Sequence, residues 1–283
     1  PVDLYLGGTE HAVLHLLYAR FWHKVLFDLG LVSTNEPFRK LRNQGMILGE
    51  NGDKMSKSRG NVVNPDDVIA DQGADALRLY LMFLGPLERD KPWNTKGIEG
   101  VRRFLDRAWR LCIDDEGALH PGVQDVQPSE EALKILHKTI AAVSEMTEDL
   151  RFNTAISQMM VFVNEMTNLE VRPRSVMEAF VKLLAPYAPH MTEELWQRLG
   201  NTGTIAYAPW PVADEKYLAD DTITVVVQVN GKVRDQLEVS AEVTEDEIRQ
   251  MIDGREKLAA HIEGKTIVKL IYVPGRLVSL VVK

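Results

Sequence analysis

The sequence has 283 residues, 45% hydrophobic and 26% charged, a composition typical of a globular protein with two or three domains. Its net charge of −8 excludes a general attraction to nucleic acid, so any RNA would have to meet local basic patches. A single cysteine, Cys112, excludes an internal disulfide and a cysteine-based zinc site, and no apolar run is long enough to span a bilayer. We therefore expect a cytoplasmic protein that contacts no membrane.

Residues 1–63 predict part of a parallel α/β sheet. Residues 1–8 read as a strand ending in two glycines, and residues 45–49 form a second short apolar run. Between them, residues 11–29 carry an apolar stripe at helical spacing, formed by Leu14, Leu17, Tyr18, Phe21 and Val25. Because the chain begins at Pro1 inside an apolar strand, we expect it to be a piece of a longer protein.

Residues 64–212 predict a helical bundle. Asn64 is the expected N-cap of its first helix and Pro65 the first helical residue. The apolar face of Leu133, Leu136, Ile140 and Val143 is typical of core packing. The predicted helices span 65–84, 95–113, 129–150, 153–170, 175–187 and 192–199, and residues 200–221 predict a linker or a wrapped loop.

Residues 222–283 predict a small α+β domain of order β-β-α-β-β. Strands at 225–229 and 233–239 flank Asn230-Gly231, a pair that favours a tight hairpin turn. Thr244 and Glu247 form a capping box that opens a helix. A second hairpin is predicted for 267–273 and 277–282, joined through Pro274-Gly275.

The loop GDKMSKSRGN, residues 52–61, concentrates positive charge. Lys54, Lys57 and Arg59 repel one another unless an anion lies among them. A solvated linker is the alternative reading of such a polar run. The stretch GGTEHAVLH places His11 and His15 one helical turn apart, a spacing that fits core packing, a metal site or a substrate pocket.

Several motifs together resemble bacterial leucyl-tRNA synthetases, which are class I aminoacyl-tRNA synthetases. The similarity covers nearly the whole chain, with the motifs in the family's order. They are LGGTEHAVLHLLYARF at 6–21, QGMIL at 44–48, KMSKSRGNVVNPDD at 54–67, RFNTAI at 151–156, LLAPYAPHMTEELW at 183–196 and KTIVKLIYVPGRLVSLVV at 265–282. The GGxEHAxLH form resembles the leucine enzymes more than those for valine, isoleucine or methionine.

The resemblance implies a multidomain fold and a ligase activity. Residues 1–63 would be the carboxyl-terminal part of a Rossmann-like α/β catalytic domain, 64–212 a helical anticodon-binding domain, and 222–283 a small α+β domain that contacts tRNA. The parent enzyme would be a monomer that activates leucine with ATP and Mg²⁺ to leucyl-adenylate and transfers it to tRNA(Leu). No metal site is expected within this chain.

The resemblance also implies roles for individual residues. Catalysis would rest on Lys54 and Lys57, which hold the ATP phosphates. The remaining ATP contacts would come from Gly8, Glu10, Met46 and Ile47, the leucine contacts from His11 and His15, and the tRNA contacts from Arg151, Asn153, Lys232, Arg234, Lys265 and Lys269. For Arg151, Asn153 and Thr154 a plain helix cap is the alternative, with Asn153 as the cap. We expect His190 and Trp196 to take part in domain packing and not in catalysis.

Two features of the family are missing from the sequence. No His-x-Gly-His segment occurs, and nothing corresponds to an editing domain. We therefore expect the isolated chain to lack catalysis, although its parent is an enzyme. The alternative for the chain by itself is a non-catalytic tRNA-binding module.

Overall fold

The computed structural model describes residues 1–218, 222–240, 243–253, 255–262, 265, 267–273 and 276–283. The chain forms two compact units, Pro1–Asp214 and Glu215–Lys283. The predicted segments 1–63 and 64–212 both lie in the first unit, so the boundary between them stays a prediction.

The first unit begins with two short pairs of parallel strands. β1 (Tyr5–Leu6) pairs with β2 (Leu41–Arg42), and β3 (Ile47–Leu48) pairs with β4 (Lys91–Pro92). The parallel pairing matches the expectation, but the strand predicted for residues 1–8 is formed only at Tyr5–Leu6. β2 and β4 were not predicted, because two-residue strands carry no periodicity.

The helix predicted for residues 11–29 is present, but most of its apolar stripe is exposed. A 3₁₀ turn at Thr9–His11 and a π-helical turn at Ala12–Leu16 lead into α1 (Leu17–Asp28). No side chain of α1 is buried, and Phe21 is 62% exposed. Helical spacing therefore predicted the element correctly but not its burial.

Seven α-helices follow α1 in the first unit. They are α2 (Pro65–Gln72), α3 (Ala74–Phe83), α4 (Thr95–Cys112), α5 (Glu130–Glu148), α6 (Phe152–Thr167), α7 (Arg174–Leu184) and α8 (Pro189–Arg198). The predicted cap is confirmed, because the Asn64 side chain accepts from the Asp66 N–H. The single helix predicted for 65–84 is wrong: Gly73, at φ 91°, separates α2 from α3. Such a φ suits glycine and interrupts a helix.

A continuous apolar core holds these helices together. Phe162 of α6 stacks on Phe180 of α7 with ring centroids 4.3 Å apart, and both are buried. Leu136, Ile140 and Val143 of α5 are buried in the same core, as predicted. A short parallel pair, β5 (Val123–Gln124) with β6 (Arg172–Pro173), crosses the unit and was not predicted.

A single carboxylate joins α3 to α8. Asp75, in the first turn of α3, accepts hydrogen bonds from the Met191 N–H at 2.7 Å and from His190 Nδ1 at 2.8 Å. The N-terminus of α8 is thereby capped from another helix. Trp196 is buried on α8 beside Lys182. The packing role predicted for Trp196 is confirmed, whereas the His190 side chain is exposed and contacts Asp75 through its ring.

The stretch after α8 wraps along the bundle. Trp210 Nε1 donates to Ser144 Oγ at 2.8 Å, and the Asp214 N–H donates to His137 Nδ1 at 3.0 Å. Residues 201–214 therefore match the wrapped loop of the prediction, while residues 219–221 of the same stretch lie outside the described residues.

The second unit is a four-stranded sheet with two helices. Its elements are β7 (Thr222–Val229), β8 (Lys232–Ser240), α9 (Glu245–Asp253), α10 (Glu256–Ile262), β9 (Ile267–Val273) and β10 (Leu277–Val282). The strand order is β8-β7-β10-β9, with a parallel central pair. Val227, Ile248 and Leu280 lie in its core.

Local sequence signals in the second unit are confirmed. Asn230 and Gly231 both have positive φ, at 48° and 78°, as a type I′ turn requires. Glu247 accepts from both the N–H and the hydroxyl of Thr244 at 2.9 Å, which forms the capping box. Two helices stand where one was predicted. The turn predicted at residues 274–275 lies outside the described residues.

Candidate functional site

A cavity of about 380 Å³, lined by both polar and apolar residues, lies beyond the carboxyl end of β1. Gly8, His11 and His15 all line it. The two imidazole rings are perpendicular, with centroids 6.4 Å apart. The Tyr5 hydroxyl is 2.5 Å from His15 Nε2 and orients that ring. Tyr5, to which the sequence assigned no role, is therefore a positioning residue of this cavity.

Gly8 lets the Glu10 side chain fold back over it. Its φ of −68° is open to any residue, but a Cβ at this position would lie 2.0 Å from the Glu10 carboxylate. Glu10 folds back over the bare Cα, and its Oε1 is 3.8 Å from His11 Nε2. Glu10 is exposed, so its carboxylate is open to hydroxyl donors.

The backbone of Met46 is fully engaged. Its N–H donates to the Asp90 carboxylate at 2.6 Å, and its carbonyl accepts from the Lys91 N–H at 2.9 Å. The neighbouring Gly45 leaves no room for a side chain, because a Cβ there would lie 2.1 Å from the Arg89 carbonyl carbon. Ile47 is half-buried against the bundle core. No sequence pattern predicted a role for Asp90, which lies in a loop 44 positions away.

One asparagine closes the lysine loop. Asn61 accepts from the Ser56 N–H at 2.9 Å and donates to the Lys54 carbonyl at 3.3 Å. The backbone of Lys54 also forms an isolated antiparallel β-bridge with Leu48 of β3, and Met55 packs against the bundle core. The loop is therefore anchored at one edge of β3. Asparagine is typical of such side-chain-to-backbone closures, a signal that could have identified Asn61.

The loop presents two ammonium groups to solvent. Lys54 and Lys57 are exposed, and neither forms an ion pair with any residue that the structure describes. Arg59 faces Asp53 at 3.8 Å, so one of the three cations has a weak partner. A 3₁₀ turn begins at Lys57 and ends at Gly60, whose φ is 64°. This arrangement provides two positive charges for an anion.

A second cleft, of about 470 Å³, lies at the N-terminus of α6. Arg42, Arg151 and Asn153 line it. The helix N-cap is Arg151, without a side-chain cap, so the expectation that Asn153 is the cap was wrong. Asn153 lies inside the first turn, where its side chain faces the cleft. The sequence offered no signal for Arg42.

Acidic neighbours weaken the positive charge of Arg151. Its guanidinium is 2.6 Å from the Glu145 carboxylate and 3.4 Å from the Asp149 carboxylate. Arg42 instead has a buried Nε without a hydrogen-bond partner in the described structure. Arg42 is therefore the less compensated cation of the cleft.

The basic residues predicted in the tail do not form one cluster. Lys232 and Arg234 lie on β8, and Lys269 lies on β9, which are the two opposite edge strands of the sheet. Lys265 precedes β9 and donates to the His261 carbonyl at 3.1 Å. All four side chains are exposed. A polyanion that contacts all four side chains must therefore extend from one edge of the sheet to the other.

The described residues contain no group of three or more His, Cys, Asp or Glu side chains placed to hold a metal ion. In the same part of the chain, no helix combines the length and apolar character that crossing a membrane requires.

Comparisons with known proteins define the class. Residues 3–94 match the family of class I tRNA synthetases (I, L, M and V), and residues 129–249 match the anticodon-binding domain of tRNA ligases. The chain belongs to the class I tRNA synthetases, and it carries part of their catalytic region together with an anticodon-binding domain.

One solved relative is similar over the whole chain. This is agnB2 LeuRS from Agrobacterium radiobacter, in a ternary complex with tRNA and LeuAMS, at 33% identity and a TM-score of 0.78. The similarity covers 99% of this chain but only 38% of that one. Methionyl-tRNA synthetase from Mycobacterium tuberculosis, bound to methionyl-adenylate, shares the fold at 16% identity and a TM-score of 0.54, over 71% of this chain and 45% of that one.

Proposed function

We propose that this chain is the carboxyl-terminal part of a cytoplasmic, monomeric leucine–tRNA ligase. Such an enzyme joins leucine to ATP, forms leucyl-adenylate and transfers the leucyl group to tRNA(Leu). The observation that carries the proposal is the anchored loop with two exposed ammonium groups, at Lys54 and Lys57. The similarity to a leucyl enzyme along 99% of the chain supports leucine as the amino acid.

In the first step, an oxygen of the leucine carboxylate attacks the α-phosphorus of ATP. A new P–O bond forms as the bond to the pyrophosphate oxygen breaks, and negative charge grows on the leaving group. Lys54 and Lys57 would lie against that charge and stabilise the transition state more than bound ATP. Mg²⁺ would arrive with ATP and neutralise part of the phosphate charge.

The cavity beyond β1 would receive the other parts of the substrates. Glu10 would accept hydrogen bonds from the ribose hydroxyls, and Gly8 would let the nucleoside approach the backbone. His11 and His15 would line the leucine side. Met46 and Ile47 would lie near adenine. The Asp90 carboxylate would have to leave the Met46 N–H if that N–H is to bind adenine itself.

The decisive experiment changes Lys57 to alanine in the longer natural enzyme. We expect the kcat of leucine-dependent pyrophosphate exchange to fall roughly 100- to 1,000-fold, because a contact specific to the transition state is lost. The leucine KM should change little, since the contacts of His11 and His15 remain. Lys57→Arg should restore only part of the rate, because a planar guanidinium is not a compact ammonium.

Lys96→Ala is the matched control, because Lys96 is an exposed lysine in the first turn of α4. It should leave both constants unchanged. An unchanged kcat with a large rise in leucine KM for Lys57→Ala would assign Lys57 to amino-acid binding and contradict the phosphate role. Faster exchange with isoleucine, valine or methionine than with leucine would contradict the proposed substrate.

The second candidate function is tRNA binding without catalysis by the isolated chain. The cleft at the N-terminus of α6 favours it, because Arg42, Arg151 and the uncapped first turn can meet a phosphate. Asn153 would contact the sugar–phosphate backbone of the tRNA at the same place. Further tRNA contacts would come from the second unit, through Lys232, Arg234, Lys265 and Lys269.

Binding and exchange assays on the 283-residue chain test this second function. We expect no leucine-dependent pyrophosphate exchange, because the chain lacks a His-x-Gly-His segment, but measurable tRNA(Leu) binding that weakens as salt rises. Arg42→Gln should weaken binding, and Arg20→Gln, which alters an exposed arginine paired with Glu36, should not. Exchange above a no-protein control, or equal binding by Arg42→Gln and the unaltered chain, would contradict this function.

A further inference from the structure

A third cavity, of about 250 Å³, lies between the start of β3 and the start of α6. Its wall is mainly apolar, with Leu81, Met82, Leu87 and Phe152 among the lining side chains. Lys91 is the one charged side chain that lines it within the described residues. Neither Lys54 nor Lys57 reaches this cavity, so it is separate from the proposed phosphate contacts.

Lys91 is unusual because it is buried without a partner. Only 9% of its surface is exposed, and no hydrogen bond or ion pair of its ammonium occurs among the described residues. Burial lowers the pKa of Lys91, and the nearby negative charge of Glu88 opposes that change in part. Because the Lys91 side chain is largely buried, an anion placed beside its ammonium would stabilise the charged form.

The surrounding backbone fixes where the ammonium stem lies. The Lys91 N–H donates to the Met46 carbonyl at 2.9 Å, which holds the residue on β4. Gly85 lies against the lysine stem, because a Cβ on Gly85 would be 3.8 Å from Lys91 Cδ. With φ at 152°, Gly85 also adopts a backbone conformation that other residues rarely take. The stem is therefore held in the cavity wall.

We propose that this cavity binds a small monocarboxylate with an aliphatic body, whose carboxylate pairs with the Lys91 ammonium. The apolar wall suits the body of such a ligand, and one cation suits one negative charge. The Gln44 amide, which also lines the cavity, can donate to the second carboxylate oxygen. A free amino acid fits poorly, because its own ammonium would stand beside that of Lys91.

The probe is 4-methylpentanoate, tested by titration calorimetry on the 283-residue chain. We expect saturable binding, with 4-methylpentanamide about 10- to 100-fold weaker because it cannot form the charge-assisted contact. Leucine, which has the same body with an added ammonium, should also bind more weakly at this site. Lys91→Met should remove the preference for the carboxylate, and Lys96→Met should keep it.

A direct measurement covers the case in which Lys91→Met does not fold. In the unaltered chain labelled with ¹³C at lysine Cε, the pKa of Lys91 should rise when 4-methylpentanoate binds, because the anion favours the ammonium. Equal affinity for acid and amide, or an unchanged Lys91 titration, would overturn the proposal. Leucine is also expected to bind in the cavity of His11 and His15. If leucine binds the Lys91→Met variant as well as it binds the unaltered chain, that binding occurs in the cavity of His11 and His15. It then tests the proposed function and not the Lys91 cavity.

Discussion

Residues 1–63 and the helices that follow them are held together by different interactions. In the first region the only buried residues are Gly8 and Gly49, neither of which has a side chain to pack. In the bundle, side chains such as Phe162 and Phe180 are at most 1% exposed. Polar contacts order the first region instead, including the Glu36 carboxylate between Arg20 and Lys24.

Within the first unit, the candidate site and the apolar core that stabilises the fold therefore lie in different regions. The lysine loop and the cavity beyond β1 lie in the weakly packed region and are held by hydrogen bonds of Asn61 and Tyr5. The bundle supplies the apolar surface on which Met55 and Ile47 rest. Segments with few buried contacts open at lower free energy than the core. We therefore expect the loop to move while the bundle stays folded.

The largest expected contrast is in thiol reactivity. Cys112 of α4 is 1% exposed, and burial raises the pKa of its thiol to about 12, against which the positive charge of Arg172 acts only in part. At pH 8 its thiolate fraction is then roughly 1,000-fold below that of a thiol with the ordinary value of 9.0. A thiol introduced by Phe21→Cys should react with Ellman's reagent quickly, and Cys112 at least that much more slowly. Rates of the two thiols within tenfold of each other would show that the bundle opens as readily as α1.

The next contrast is in stability. Phe162→Ala removes a ring from the filled core and should lower the free energy of unfolding by about 3–5 kcal/mol. Phe21→Ala, the matched change on α1, should cost less than about 0.5 kcal/mol, because that ring is 62% exposed. Urea unfolding followed by helical circular dichroism measures both. A similar loss for the two variants would mean that the stripe on α1 is covered in solution.

The sequence predicted those features that depend on local chemistry. The Asn64 cap, the Asn230-Gly231 turn and the Thr244–Glu247 box were confirmed, because each depends on residues a few positions apart. The separation of α2 from α3 at Gly73 was missed, since a single glycine within a helical pattern is often tolerated.

Contacts between distant segments were beyond sequence reasoning. Asp90 holds Met46 across 44 positions, and Asp75 caps α8 across more than 100. The exposure of Phe21 could not be predicted either, because periodicity indicates which residues share a face of a helix but not what covers that face. Within the candidate site, motif resemblance singled out Gly8, His11 and His15, and all three line the cavity beyond β1. Only the structure showed that Tyr5 and Arg42 line the candidate cavities.

The smallest expected effect concerns the polar contacts of the first region. Hydrogen bonds from Arg20 and Lys24 lower the pKa of Glu36 to about 2, from an ordinary value of 4.5. A carboxyl group with a lowered folded-state pKa adds stability above its unfolded pKa and loses it as pH falls through the folded value. The Glu36 contribution is thus complete above about pH 4.5 and disappears progressively toward pH 2. The Glu36 side chain is 43% exposed, so solvent screens the interaction and the effect is small and local.

NMR titration of the Glu36 side chain measures this directly. We expect a midpoint near pH 2 in the unaltered chain, because protonation must break the contacts to Arg20 and Lys24. Arg20→Gln removes the largest of these contacts and should move the midpoint toward 4.5, and high salt should move it in the same direction by screening. Arg39→Gln, which removes only the pair with Asp3, is the matched control and should leave the titration in place. A midpoint near 4.5 in the unaltered chain would show that Glu36 does not hold α1 in solution, and the polar order assigned to the first region would then have to rest on the hydrogen bonds of Asn61 and Tyr5 alone.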